Sequence, residues 1–499
     1  MKKLLFKILA LVFVLICQQC YCQYDFWGDL EPGEFKTGYK RIFAVDTTRV
    51  NVHSADPKGR PIIINVWYPI SDSSASGLEP MIHSEYLNFS SEVLSDSLEQ
   101  QFYDYNLEMI EEYSFNSFRK TWKWKVKKLT KKIIENPTHA FKNADYPSGK
   151  FPLLIYHQGL GASIEDNAAM IEWLCSHGYV IVNASYQCDD IGYLNVGWEL
   201  DISINDIDFM VNHLSQFPFI DFSKMGIMGQ SYGGQASLAY AVLGRHNVSG
   251  VITFDSTIDY SASYTSEGFT ELFDPLLSKC EIFNIPLLAI AGDEAIFAIT
   301  DSLVYSPRTY VKVQGMAHED YISQGAVGAF LEGETLLKKK YRSFFRQRWK
   351  NYLHVCRHTL DFWNHVFQES PSSFEPQWTS IENANGEAQF EYSSREMGEN
   401  KWKQEYLPVA DEEKPIIDGQ YKFRGKKYSI KTDSAGTKIL DKNGSFSELL
   451  FFYKPGTNQV VLYMDDDAMW WNFEVSEQRV VNTIKSDNLG KNNKMVRVD

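Results

Sequence analysis

The sequence predicts an α/β protein: a mostly parallel sheet with helices on both faces, followed by a small C-terminal antiparallel β domain. Three observations carry that prediction. From Phe151 onward short apolar runs alternate with helical patterns, as in repeated βα units. From about Pro415 the pattern changes to strand-like alternation, with turn signals at Asn443-Gly444 and Pro455-Gly456. The chain has 499 residues, more than one domain needs, and its 44% hydrophobic and 23% charged content suits a sizeable core.

The first 22 residues have a separate character. Lys2, Lys3 and Lys7 precede an apolar run from Leu4 to Ile16 that is short for a membrane span and shaped like a signal peptide. Cleavage is expected before Gln23, with export to the periplasm or the exterior. Lipoprotein anchoring at Cys17 or Cys20 is the lesser expectation, because neither cysteine follows the usual small residue. Cys175, Cys188, Cys280 and Cys356 remain, widely spaced and without a C-x-x-C pair, so neither zinc nor a redox motif is indicated. A disulfide is compatible with export, and no pair is specified. The formal charge of −15 argues against a nucleic-acid partner.

Residues 23–367 are expected to form the α/β domain. "RPIIINVWYPI" (60–70) is an early strand, and residues 71–145 form a helical insert. Within the insert, residues 119–134 place Trp122, Val126, Leu129 and Ile133 at helical spacing among lysines. Such a helix either packs on the domain with solvated lysines or makes peripheral contact with a lipid surface. The core then reads strand 152–157, helix 166–178, strand 179–185, helix 201–217, strand 224–228, helix 233–244, and strands 250–255, 285–292 and 309–315. A helical stretch reaches Phe367, residues 368–414 are expected to be a linker, and residues 415–499 form the β-rich domain.

"GQSYGG" (229–234) lies between the strand "KMGIM" and a helix. A serine hydroxyl is a weak nucleophile until a base, a group orienting that base and oxyanion donors surround it. A strand–turn–helix around G-x-S-x-G is the context that presents such a serine, so Ser231 is the candidate nucleophile. His318 is the histidine placed directly after the last strand and is the candidate base. Asp255 and Asp293 each end a strand, and position leaves the choice of acid open. The backbone amide of Tyr232 and that of Leu160, in the glycine-rich loop "HQGLGAS", are the candidate oxyanion donors. His354, His358, Asp361 and His365 fall on one helical pattern. It is read as a partly polar face, with a metal site as the alternative. No cofactor and no metal are expected.

These residues resemble the platelet-activating factor acetylhydrolase family and its dienelactone hydrolase-like relatives, within the α/β-hydrolase fold. The likeness is carried by "GYKRIFAVDTTR", "INVWYP", "GLGAS", "WLCSHGYVIVNASY", "GQSYGG", "FDST" and "GMAHEDY", spanning roughly 38–321 outside the insert. It implies Asp255 rather than Asp293 as the acid, backbone donors at Leu160 and Tyr232, and no metal. The chain departs from the family where histidine often precedes Gly-Leu-Gly: Gln158 stands there, with His157 one place earlier. The expectation is an exported serine hydrolase of carboxylic esters, small or lipid-borne, with a short acyl group implied by the resemblance. The rivals are a serine peptidase and a catalytically silent binding protein on the same scaffold.

Overall fold

The computed structural model describes residues 24–49, 59–91, 96–115, 123–186, 200–261, 280–335, 339–368, 374 and 389–423, and most of 426–498 apart from short turns. The signal segment, the start of the 119–134 helix with Trp122, Cys188 and the Pro455-Gly456 turn lie outside the described residues.

Among the described residues ten strands form one sheet: β1 (Lys36–Asp46), β2 (Arg60–Ile70), β3 (Ala140–Lys142), β4 (Phe151–His157), β5 (Val180–Ala184), β6 (Ile220–Gln230), β7 (Val251–Phe254), β8 (Leu287–Gly292), β9 (Arg308–Val313) and β10 (Phe390–Arg395). Their order is β10-β9-β8-β7-β6-β4-β5-β2-β1-β3. The run from β5 through β9 is parallel, while β2 pairs antiparallel with both β5 and β1. Strand order reverses at β4, which lies between β5 and β6. In open sheets of this kind ligands gather at the carboxyl ends of the strands beside such a reversal.

Successive side chains of a strand point to opposite faces, and the two cores follow that rule. Leu154, Tyr156, Met228 and Ile252 enter one core with α3 (Ala168–Ser176), α6 (Ser323–Thr335) and α7 (Lys339–Phe367). Leu153, Ile155, Ile227 and Val251 enter the other with α4 (Leu200–Leu214) and α5 (Tyr232–Leu243). The insert supplies α1 (Asp96–Phe115) and α2 (Lys123–Ile134). Helix α2 commits Val126, Leu129 and Ile133 to the core, so Lys123, Lys127 and Lys128 face solvent beside Trp124, which is 69% exposed.

The stretch expected to be a linker holds a sheet strand. Phe390–Arg395 pairs antiparallel with β9 along its whole length, and Phe390 is buried in the core. The chain then returns along the domain as a strap. Arg395 Nε and the Trp402 amide both reach the Asp301 carboxylate, at 2.9 and 2.6 Å, and Arg308 bonds the Glu399 carbonyl.

Beyond the strap the antiparallel domain closes on itself. Among the described residues β11 (Gly419–Phe423), β12 (Lys426–Asp433), β13 (Gly436–Leu440), β14 (Phe446–Tyr453), β15 (Val460–Met464), β16 (Met469–Val475), β17 (Val481–Ser486) and β18 (Lys494–Arg497) form a closed barrel, sealed by β11 against β18. The run "GQYKFRGKKYSIKTD" is thus two strands of a hairpin. Closure removes open edges, and Ile430, Phe451, Leu462, Trp471 and Ile484 are among the side chains that fill the interior, as an eight-stranded barrel allows.

Candidate active site

Strand β6 ends at Gln230 and α5 begins at Tyr232, leaving Ser231 as the hinge between them. Its φ of 54° and ψ of −119° lie where non-glycine residues are strained. The turn is held by the Ser231 amide on the Phe254 carbonyl (2.9 Å) and the Gly234 amide on the Ser231 carbonyl (3.0 Å). Two glycines make the bend possible. A Cβ on Gly229 would lie 2.2 Å from the Gly233 carbonyl oxygen, and one on Gly233 would lie 2.1 Å from that of His157. Because those neighbours are backbone, Gly233→Ala is expected to cost at least about 1–3 kcal/mol of stability. A thermal unfolding midpoint matching the wild type would contradict that contact.

Asp255 immediately follows β7, with φ of 45° and its side chain buried. His318 opens a single helical turn, His318–Tyr321, after β9. The two meet: His318 Nδ1 lies 2.6 Å from Asp255 Oδ2. With the carboxylate as acceptor, Nδ1 carries the proton and Nε2 presents its lone pair. The other oxygen, Oδ1, accepts from the Gly292 amide at 3.0 Å and from the Tyr260 hydroxyl. Asp293 is exposed and takes no part in this cluster.

His318 Nε2 lies 3.2 Å from Gln230 Nε2, which also bonds the His318 carbonyl at 3.2 Å. The imidazole therefore stands at the elbow, with 42% of its side chain open to solvent. Ser231 Oγ makes no hydrogen bond among the described residues. The elbow residue that meets the imidazole is Gln230, one position earlier. Catalytic hydrogen bonds are often absent or long before a substrate arrives. Burial alone would lower the His318 pKa. The hydrogen bond and charge of Asp255, with the charge of Glu319, outweigh it and hold His318 above the usual histidine value. Nearby Asp259 is pushed well above the ordinary carboxylate range by burial and by the Asp255 charge.

The loop after β4 passes beside the serine: a Cβ on Gly159 would lie 3.4 Å from Ser231 Cβ. The insert grips this loop by its carbonyls. Tyr113 Oη donates to Leu160 O at 3.1 Å and Tyr105 Oη to Gly161 O at 2.6 Å. Tyr232 is the first residue of α5, so its amide sits at the positive end of the helix dipole. Gln158 is fully buried and directs Nε2 to the Ala184 and Ser185 carbonyls, at 3.3 and 3.4 Å. His157 is buried, stacked on Tyr186 at 3.8 Å and bonded to Ser203 Oγ at 2.9 Å. Burial lowers it to about 4, which keeps it neutral.

The α7 histidines do not converge. His358 Nε2 bonds the Tyr392 hydroxyl at 2.8 Å and His354 Nδ1 meets Arg357 at 3.3 Å. Among the described residues no three potential ligands are grouped for a metal ion. Cys175 and Cys356 are buried free thiols, and Cys280 is a partly exposed one. Sequence reasoning missed Tyr260, Gln230, Tyr105 and Tyr113. For Gln230 the signal was adjacency to Ser231. For Tyr260 it was a tyrosine five residues after Asp255 in "FDSTIDY". The insert tyrosines had no local signal.

No protein-family model and no curated protein matches the chain. Among solved structures it is similar to a ferulic acid esterase from Streptomyces cinnamoneus, at 14% identity and a TM-score of 0.44, over 70% of this chain and 96% of that one. It is also similar to esterase B from Lactobacillus Rhamnosis, at 13% identity and a TM-score of 0.34, over 73% and 96%. A third is the isopeptidase AtxE2, at 11% identity and a TM-score of 0.36, over 68% and 42%. Likeness at this level carries no argument about chemistry, which has to come from the site itself.

Proposed function

We propose that the chain is a serine hydrolase that cleaves carboxylic esters through an acyl-enzyme intermediate. One observation carries the reading: a buried carboxylate bonded to a solvent-open imidazole that stands at a strained strand–helix elbow bearing a serine. In the resting site Gln230 holds Nε2; the Ser231 hydroxyl takes its place when substrate binds. Nε2 accepts the hydroxyl proton as Oγ bonds to the acyl carbon and the carbonyl electrons move onto oxygen. The amides of Leu160 and Tyr232 receive that oxyanion. It collapses, the C–O bond to the alcohol breaks, and His318 returns the proton to the leaving oxygen. Water then attacks the acyl-enzyme by the same route, giving the carboxylic acid and the free serine.

The base must be neutral to act. With its pKa raised by Asp255, kcat/KM is expected to climb with pH through an apparent pKa above the ordinary histidine value of about 6.5. A pH–rate profile with its acid limb below that value would contradict the pairing.

The broader test is an ester panel of varied acyl length run beside matching amides, with fluorophosphonate labelling of the mature protein. Ester turnover and labelling support the reading. Preferential amide cleavage turns it to a peptidase, and absence of both turns it to the silent scaffold. The family-like motifs support a short acyl group on a lipid or small alcohol. The basic-then-apolar start of the chain supports export. Any contact with anionic lipid falls to the lysine face of α2 and Trp124, since the apolar face of that helix is taken up by the core.

A further inference from the structure

Strand alternation in the barrel breaks on one side. In β14 and β15, Leu449, Phe451, Leu462 and Met464 fill the interior. Their neighbours Phe452, Val461 and Tyr463 point outward, yet all three are buried. A strand apolar on both faces has cover on both faces. The cover comes from Ile296 and Ala298, in the segment after β8, and from Trp402 and Tyr406 of the strap. Trp402 meets the Phe452 ring edge-on, 5.4 Å between centroids.

That docking sets the Tyr463 hydroxyl on the main-chain carbonyl of Tyr260. Tyr260 ends the short helical turn Thr257–Tyr260 that follows Asp255. On its other side the turn is gripped through the Asp259 carbonyl, which accepts from the Ile296 and Phe297 amides at 2.8 Å each. The Tyr260 hydroxyl donates to Asp255 Oδ1 and accepts from the Gly292 amide at 2.8 Å. A continuous chain of contacts thus runs from the barrel wall to the carboxylate that holds His318.

We propose that the C-terminal barrel is a working part of the catalytic site: Tyr463 fixes Tyr260, and Tyr260 sets the position of Asp255 against His318. The catalytic meaning of this chain rests on the ester-hydrolase reading. Tyr260 and Tyr463 are positioning residues and act on the reaction through Asp255. Losing the Tyr260 hydroxyl removes a donor from the Asp255 carboxylate and leaves more of its charge to hold the His318 imidazolium. The other titratable groups around the pair are Glu319, which acts on His318 directly, and Asp259 and Tyr321, both pushed up by burial and by the Asp255 charge. Asp320 is paired with Arg348, and Asp293 lies at the exposed rim.

The test compares Tyr260→Phe, Tyr463→Phe and the double variant with the wild type. His318 is titrated by NMR, and kcat, KM and fluorophosphonate labelling are measured alongside. Tyr260→Phe is expected to raise the His318 pKa by about half a pH unit or more and to lower kcat roughly threefold to tenfold, with KM little changed. Tyr463→Phe keeps its ring packing and should move both quantities the same way by a smaller amount. The double variant should go no further than Tyr260→Phe alone, because both changes act through one bond. An unmoved His318 titration in Tyr463→Phe, or additive effects in the double variant, overturns the proposal. A wild type that neither labels nor turns over esters sinks the hydrolase reading instead, and the titration still decides whether Tyr463 is coupled to Asp255.

Discussion

Ser231→Ala is expected to abolish ester turnover and fluorophosphonate labelling while leaving the fold intact. In serine hydrolases removal of the nucleophile costs on the order of 10^6 in kcat, and what survives comes from the oxyanion donors and binding. Here the loss should be cleanly chemical. Ser231 Oγ makes no hydrogen bond among the described residues, so its removal breaks none. The backbone strain at φ 54° belongs to the turn and remains in the alanine variant. Sites of this kind are held at some expense to stability, so the thermal midpoint should equal the wild-type value or exceed it. Labelling that persists in Ser231→Ala would place the nucleophile elsewhere and end the assignment.

Asp255→Asn should lower kcat by about 10^4, the scale seen when a serine protease triad loses its acid to the amide. The cause is the tautomer as much as the charge. The asparagine amide can present a donor to Nδ1, and a neutral imidazole then carries its proton on Nε2, where the lone pair is required. Asp293→Asn should change kcat by no more than about threefold, as expected of an exposed side chain outside the cluster. Single-turnover kinetics with an activated ester separates the two variants. A larger loss in Asp293→Asn would reverse the choice of acid.

Much of the site could be read locally. Ser231 was legible because a buried strand, a glycine-flanked bend and a helix succeed one another within a few residues. His318 was legible because it follows the last parallel strand. Asp255 and Asp293 were indistinguishable by position, since both end strands that lie side by side in the sheet. The resemblance favoured Asp255, and the three-dimensional arrangement puts Asp255 on the imidazole.

Other features were hidden for physical reasons. β10 lay in a stretch read as linker, because an edge strand needs only one partner, and that partner, β9, comes some eighty residues earlier. The outward apolar residues of β14 and β15 were visible as the runs "LLFFY" and "VVLYM". Nothing local says what covers them. The hydroxyls of Tyr105 and Tyr113 reach the glycine loop from an insert helix about fifty residues away in the chain.

The sequence by itself determined the βα alternation, the elbow and the identity of its serine, and the presence of a second, antiparallel unit. These depend on side-chain periodicity and backbone freedom, which act over a few residues. Only the tertiary structure decided which carboxylate meets His318, that Gln230 occupies its free nitrogen, and that the barrel wall reaches the Tyr260 turn. Those outcomes depend on where distant strand ends converge, and hydrogen bonds between such ends are set by packing across the whole molecule.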